Sequence, residues 1–301
     1  MLRICISNPL PSYMTLNKYL NENSHILADG AMGTLLMKKG TFDKCPEEIN
    51  LSNPELLKEI AGEYFNSGSK LIQTATFGAS HIRLSQFNLH REMEHINRVA
   101  VKAVRSAVED GGFVNGALGP YGIPLDNING EAVDEVKQNY MDQAEILLDE
   151  GVDLLSIETA MSIFEAKAAV EGVVPIAGKT PVLLSFVFIP GKAGYTTLSG
   201  EPLEKVIETF DGSGISFFGV NCGNGFSESL DVTRQIKEQI RLPLAVQPNA
   251  GIPDSDLNFP STKIDFVEAV KKLLDLDVAI IGGCCGTTPD YIEAVRHLFS
   301  N

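Results

Sequence analysis

The segment VAIIGGCCGTTPDYIEAVRHLF, Val278–Phe299, contains the unit from which the fold is read. A short apolar, β-branched run is followed by a glycine-rich loop. Thr288-Pro289 then sets an N-cap and a first-turn proline, and DYIEAVRHLF continues with the apolar spacing of a helix. The same unit recurs back along the chain. Its strands are expected at His25–Asp29 (HILAD), Leu71–Phe77 (LIQTATF), Phe113–Leu118 (FVNGAL) and Val152–Ile157 (VDLLSI). Four more complete the set: Pro181–Phe188 (PVLLSFVF), Ile215–Val220 (ISFFGV), Pro243–Gln247 (PLAVQ) and Val278–Ile281. Between them, Asn53-Pro54 opens one helix, and Val133–Leu148 and Leu230–Ile240 carry apolar residues three and four apart. Strands alternating with helices pair in parallel through right-handed crossovers. Eight such units predict an α/β fold, a single (β/α)8 TIM barrel with its active site at the C-terminal ends of the strands. The rival, a doubly wound open sheet, is weakened by the lack of a G-x-G-x-x-G after the first strand. The expected organisation is an extension and lead-in helix over residues 1–24 and the barrel over 25–301.

Composition narrows the functional classes. With 44% hydrophobic and 21% charged residues the chain has a globular rather than a disordered composition. Lys and Arg number 24 against 39 Asp and Glu, a net charge of −15, which argues against a nucleic-acid binder and against docking on an anionic membrane. No apolar run approaches the ~20 residues of a spanning helix, and the N-terminus lacks a secretory signal, so a cytoplasmic location is expected.

The unusual residues cluster at expected strand ends. The first strand runs into Asp29-Gly30-Ala31-Met32-Gly33, the second into Gln73-Thr74-Ala75-Thr76 and the fourth into Glu158-Thr159. The sixth ends in Asn221-Cys222-Gly223, the seventh in Pro248-Asn249-Ala250-Gly251, and the eighth in Gly282-Gly283-Cys284-Cys285-Gly286. Three of the five cysteines therefore face the barrel mouth. Adjacent cysteines on a regular strand point to opposite faces, so Cys284 and Cys285 converge only if the glycines bend the backbone. Three thiolates suit tetrahedral Zn²⁺ and leave a fourth position for an incoming thiol. Buried apolar cysteines and a strained vicinal disulfide are the alternatives. Cys5 and Cys45 lie outside the pattern. His90 and His95 are the two ends of HREMEH, but five residues is about 140° around a helix, so they cannot share a metal as an i, i+4 pair does.

Asp29 and Glu158 each end an apolar strand at the mouth. An ammonium group would partner Glu158, and the Gly30–Gly33 loop offers backbone amides to a carboxylate. Asp29 fits a loop-tethering acid as well as a functional one. Together the features suit an amino-acid thiol.

The sequence resembles the zinc-dependent homocysteine S-methyltransferase family, which includes the homocysteine-binding domain of cobalamin-dependent methionine synthase. The similar segments are Asp29–Leu36 (DGAMGTLL), Asn50–Phe77, Gly151–Ala160 (GVDLLSIETA), Thr197–Glu201 (TLSGE), Gly219–Gly223 (GVNCG), Gln247–Gly251 (QPNAG) and Gly282–Ile292 (GGCCGTTPDYI). The resemblance implies methyl transfer to a zinc-bound thiolate, with homocysteine giving methionine. Cys222, Cys284 and Cys285 match the zinc ligands, and Asn249 matches a position that approaches the metal when substrate is absent. Asp29, Gly30, Ala31, Met32, Gly33, Thr74, Ala75, Thr76 and Glu158 match substrate-binding positions. One departure stands out. Where methionine synthase relatives usually read E-T-N-T-F, this chain has Gln73-Thr74-Ala75-Thr76-Phe77, so a thiol other than homocysteine stays open. The resemblance also implies a donor such as methylcobalamin carried by a separate protein, a corrinoid or folate-binding methyltransferase chain. A corrinoid-linked methyltransferase of another thiol or of a demethylation pathway, and a non-catalytic zinc or redox sensor, are the competing readings.

Overall fold

The computed structural model describes residues 14–40, 45–108, 111–122, 130–192 and 194–299. Eight parallel strands form the sheet: β1 (Ile26–Leu27), β2 (Leu71–Gln73), β3 (Phe113–Leu118), β4 (Leu154–Ala160), β5 (Val182–Phe186), β6 (Phe217–Cys222), β7 (Leu244–Pro248) and β8 (Ile280–Ile281). The spatial order is β1-β8-β7-β6-β5-β4-β3-β2, and the bridge from Ala28 to Leu71 brings the two ends together, giving a nearly closed barrel surrounded by helices. The expected TIM barrel is therefore observed. A short antiparallel hairpin, Ile189–Gly191 with Gly194–Thr196, follows β5.

Strand alternation explains how the barrel interior changes from bottom to top. Side chains two apart share a face, so each strand places a lower and an upper residue inside. The lower layer is apolar: Leu71, Phe113, Leu154, Leu183, Phe217 and Ala245 pack with Leu16 of the helix Leu16–Asn23. Two residues further on, the same strands give Gln73, Asn115, Ser156, Ser185, Gly219 and Gln247. The intervening residues, among them Val114, Leu155, Leu184, Phe218 and Val246, belong to the larger cluster under the helices. An apolar plug thus supports a polar upper layer, and burying that layer requires it to be hydrogen bonded.

The strand boundaries differ from those expected at the ends. Phe113–Leu118 is as expected, whereas β1, β2 and β8 are shorter because their flanks leave the ladder. Thr74–Phe77 is not strand, and His25 instead turns its Nδ1 to Val278 O at 2.9 Å. In contrast β4, β6 and β7 extend to Ala160, Cys222 and Pro248, where Asn221 pairs with Gln247 and Cys222 with Pro248. The helix expected at Val133–Leu148 spans Gly130–Asp149, and that expected at Leu230–Ile240 spans Phe226–Lys237. Asn53 caps as expected, accepting from Leu56 N. Thr288 occupies the N-cap position without a capping hydrogen bond, because its hydroxyl bonds the Asp290 carboxylate.

Candidate active site

Cys222, at the end of β6, and the Cys284-Cys285 pair after β8 line one cavity of about 190 Å³ at the barrel mouth. The pair reaches it because the chain leaves β8 along a hydrogen-bonded path: Gly282 N bonds Val246 O, Gly283 N bonds Asp29 O, and Cys284 N bonds Pro248 O. Thr287 returns to Cys284 O through both its amide, at 3.1 Å, and its hydroxyl, at 2.6 Å. The loop is fixed on both sides of the thiols.

The sulfurs of Cys222 and Cys284 lie 3.2 Å apart. Hydrogen bonds from Cys222 and Cys284 pull the Cys285 thiol down to about 3. The Cys284 thiol is pushed well above the ordinary thiol range by its bonds to Cys222 and Cys285 and by burial. Among the described residues no group of three His, Cys, Asp or Glu side chains stands ready-made in metal-binding geometry. A Zn–S bond of about 2.3 Å sets tetrahedral sulfurs about 3.8 Å apart, so the Cys222–Cys284 pair must separate by roughly half an ångström. Three soft donors facing one cavity nonetheless make a donor set of the kind zinc takes.

Backbone strain accompanies the cluster. Thr159 and Cys222 both adopt left-handed conformations, with φ of 59° and 60°, which costs of order 1–3 kcal/mol per non-glycine residue. Asn221 ties them together. Its Oδ1 accepts from Thr159 N at 3.0 Å and Ser185 Oγ at 2.8 Å, while its Nδ2 donates to Thr159 Oγ1 at 2.7 Å and approaches Cys222 Sγ at 3.5 Å.

Glu158 lies in the cavity wall and accepts from Ser156 Oγ at 2.5 Å, Asn115 Nδ2 at 3.4 Å and Gln73 Nε2 at 3.1 Å. Burial pushes its carboxyl up to about 7, and pushes that of Asp29 up to about 8, against the opposing hydrogen bonds. A carboxyl with a raised folded pKa adds stability below its unfolded value and loses it as pH rises through the folded value. The window here runs from about pH 4.5 to 7 for Glu158. The ligand-free E158Q protein is therefore expected to exceed its parent in stability by up to about 3 kcal/mol at pH 8, and to match it near pH 4.5. Urea melts at the two pH values check this; equal differences at both would contradict it.

Several expected substrate-binding residues are placed elsewhere. Asp29 is buried and does not line the cavity; its carboxylate accepts from Gln73 N at 2.9 Å, the tethering role. Thr74, Ala75 and Thr76 are also buried outside the cavity lining. The two hydroxyls bond each other at 2.7 Å, and also reach Ala117 N and Ala117 O. Gly30, Ala31, Met32 and Gly33 do line the cavity, but the amides of Ala31 and Met32 are committed to Thr287 O and Gly30 O. Asn249 does not line it. Its amide bridges Gly223 O at 2.9 Å and Cys285 N at 3.0 Å, joining the two cysteine loops. Cys45 is buried in the core, and Cys5 lies outside the described residues.

Gln73, Glu47, Phe77 and Asn221 also line the cavity; the sequence marks Gln73 only as a departure from a family motif and Asn221 only as a strand-end residue, and points to neither Glu47 nor Phe77 as a site residue. Glu47 reaches it through a bond from Gly78 N at 2.7 Å, a contact 31 residues away in the chain. Gln73 and Asn221 carried a usable signal, since both are inward-facing positions in their strands.

The site is the mouth of a parallel α/β barrel that carries three thiols and a buried carboxylate. The chain belongs to the homocysteine S-methyltransferase family, whose profile matches residues 26–299. It is 28% identical over 291 residues to methionine synthase of Mycobacterium leprae, covering 90% of this chain and 24% of that protein. With methionine synthase of Mycobacterium tuberculosis it shares 27% over 297 residues, covering 92% and 25%. The chain thus spans about a quarter of the length of these curated relatives. The metallated homocysteine methyltransferase MmuM of Escherichia coli superposes with a TM-score of 0.79 at 24% identity, over 94% of this chain and 99% of that one. A methyltransferase from Methanosarcina mazei superposes at 0.60 and 13%, over 95% and 99%, a likeness of fold.

Proposed function

We propose that this chain transfers a methyl group to the sulfur of homocysteine, giving methionine. The observation that carries the reading is the convergence of Cys222, Cys284 and Cys285 on a cavity that Glu158 also lines. Cys222, Cys284 and Cys285 would hold Zn²⁺, which would keep a substrate sulfur as thiolate at neutral pH. The remaining work falls to the chain's own residues. Glu158 accepts from the substrate ammonium. The first-turn amides of Gly33 and Thr34, at the N-terminus of the helix Met32–Lys39, suit its carboxylate. Met32 and Phe77 supply apolar wall that excludes water. In the transfer a sulfur–carbon bond forms as the bond from methyl to the donor's leaving group breaks, with no proton moved to the methyl carbon. Positioning is thus the main contribution of the fold.

The donor is proposed to come from outside this chain, methylcobalamin on a corrinoid protein being one form. A matrix of homocysteine and other thiols against methylcobalamin, S-methylmethionine and betaine, with zinc-loaded protein, tests the reading. Methionine formation with one donor supports it. Methylation of a different thiol alone would favour the corrinoid-linked alternative, and tight zinc retention without transfer to any thiol would favour a sensor.

Asn221 sets the conformation of both strained residues and approaches the Cys222 sulfur, so N221A is expected to weaken zinc binding about 10–100-fold. Competition with a chromogenic chelator reads this directly. Unchanged affinity would show that the Asn221 bonds do not hold the ligand geometry.

A further inference from the structure

The donors to Glu158 come from three successive strands, and they are not equivalent. Ser156 Oγ and Asn115 Nδ2 both address Oε1, from beneath the cavity. Gln73 Nε2 alone addresses Oε2, and Gln73 alone of the three lines the cavity. The Gln73 amide turns its nitrogen to Glu158 Oε2, and so its oxygen away from it, the arrangement that an ionised carboxylate, an acceptor only, requires. That leaves two acceptors side by side on one wall, Gln73 Oε1 and the remaining lone pair of Glu158 Oε2. Asn115 Oδ1, in the same layer, is buried without a donor. Among the described residues no Lys, Arg or His lines the cavity, so the described wall has acceptors in excess.

We propose that Gln73 is a specificity-determining residue, whose amide oxygen takes one N–H of a primary ammonium while Glu158 Oε2 takes another. The inference rests on the reading of the cavity as a site for an amino-acid thiol. Gln73 acts twice, as donor it fixes Glu158 Oε2, and as acceptor it meets the ligand. An apolar side chain of similar size at this position removes both actions without adding charge.

The test uses zinc-loaded parent, Q73L and Q73M proteins with two thiols, homocysteine and 4-mercaptobutanoate, which lacks the amino group. Dissociation constants come from calorimetry, and KM and kcat from methyl transfer with whichever donor is active. Both variants are expected to bind homocysteine at least about tenfold more weakly, as loss of a hydrogen bond to a charged group implies. KM should rise in parallel with kcat within about twofold, and binding of 4-mercaptobutanoate should change by less than about twofold. Its retention shows that the variants are folded and metal-loaded. Unchanged homocysteine binding, or equal weakening of both thiols, would overturn the role of Gln73. A parent protein that binds both thiols equally would instead overturn the amino-acid reading of the site.

Discussion

Replacing Cys284 by alanine is expected to abolish zinc retention and to lower methyl transfer by at least ~10³-fold, the several kcal/mol that metal activation contributes. The local backbone gives the experiment its clarity. Cys284 is held through its amide to Pro248 O and through its carbonyl to Thr287, neither of which involves the thiol. The loop therefore keeps its path in C284A, and the loss is chemical rather than structural. What disappears is the sulfur 3.2 Å from that of Cys222. Metal analysis of the purified variant, a thermal melt and the transfer assay separate these effects. Full turnover by a zinc-free C284A protein would remove the proposed role of the cluster.

Gly283 to alanine is expected to produce a large structural effect for a single added methyl group. A Cβ there falls 2.1 Å from Thr287 Oγ1 and 2.6 Å from Thr287 Cβ. Thr287 is fully buried, and its hydroxyl is the tether to Cys284 O, so it cannot move aside without releasing the cysteine loop. Overpacking of this kind costs about 1–3 kcal/mol, with a fall in Tm of about 2–4 °C per kcal/mol and loss of zinc. Gly33 provides the contrast. Nothing lies within 4 Å of a Cβ built there, and it sits inside the helix Met32–Lys39. G33A is expected to be neutral or stabilising by up to about 1 kcal/mol. Melting of the two variants side by side checks both; a G283A protein as stable as its parent would show that the loop is more yielding than its hydrogen bonds indicate.

The fold was legible because each barrel strand carries its own apolar run, and the helices carry their own period. Strand ends were less so. Thr74 reads as the continuation of a strand, but the chain leaves the ladder at Gln73, where Asp29 captures the Gln73 amide. That bond joins residues 44 apart in sequence and has no local signal. The three cysteines were legible because thiols at glycine-flanked strand ends are few and share one destination. Of the carboxylate and hydroxyls expected at the mouth, Glu158 lines the cavity, whereas the hydroxyls of Thr74 and Thr76 bond Ala117 instead of facing it. Strict alternation along β2, with Leu71 inward and Ile72 outward, assigns the inward position to Gln73. Asn249, expected to approach a metal, instead uses its side-chain amide to link the two cysteine loops through their backbones.

The central claim is that Cys222, Cys284 and Cys285 form one metal centre that accepts the substrate sulfur. Zinc K-edge X-ray absorption on the loaded protein, with and without homocysteine, tests it most directly. Three sulfur neighbours at about 2.3 Å and one lighter ligand are expected, changing to four sulfurs when homocysteine is added. Fewer than three sulfurs in the resting protein, or a first shell that homocysteine leaves unchanged, would contradict it.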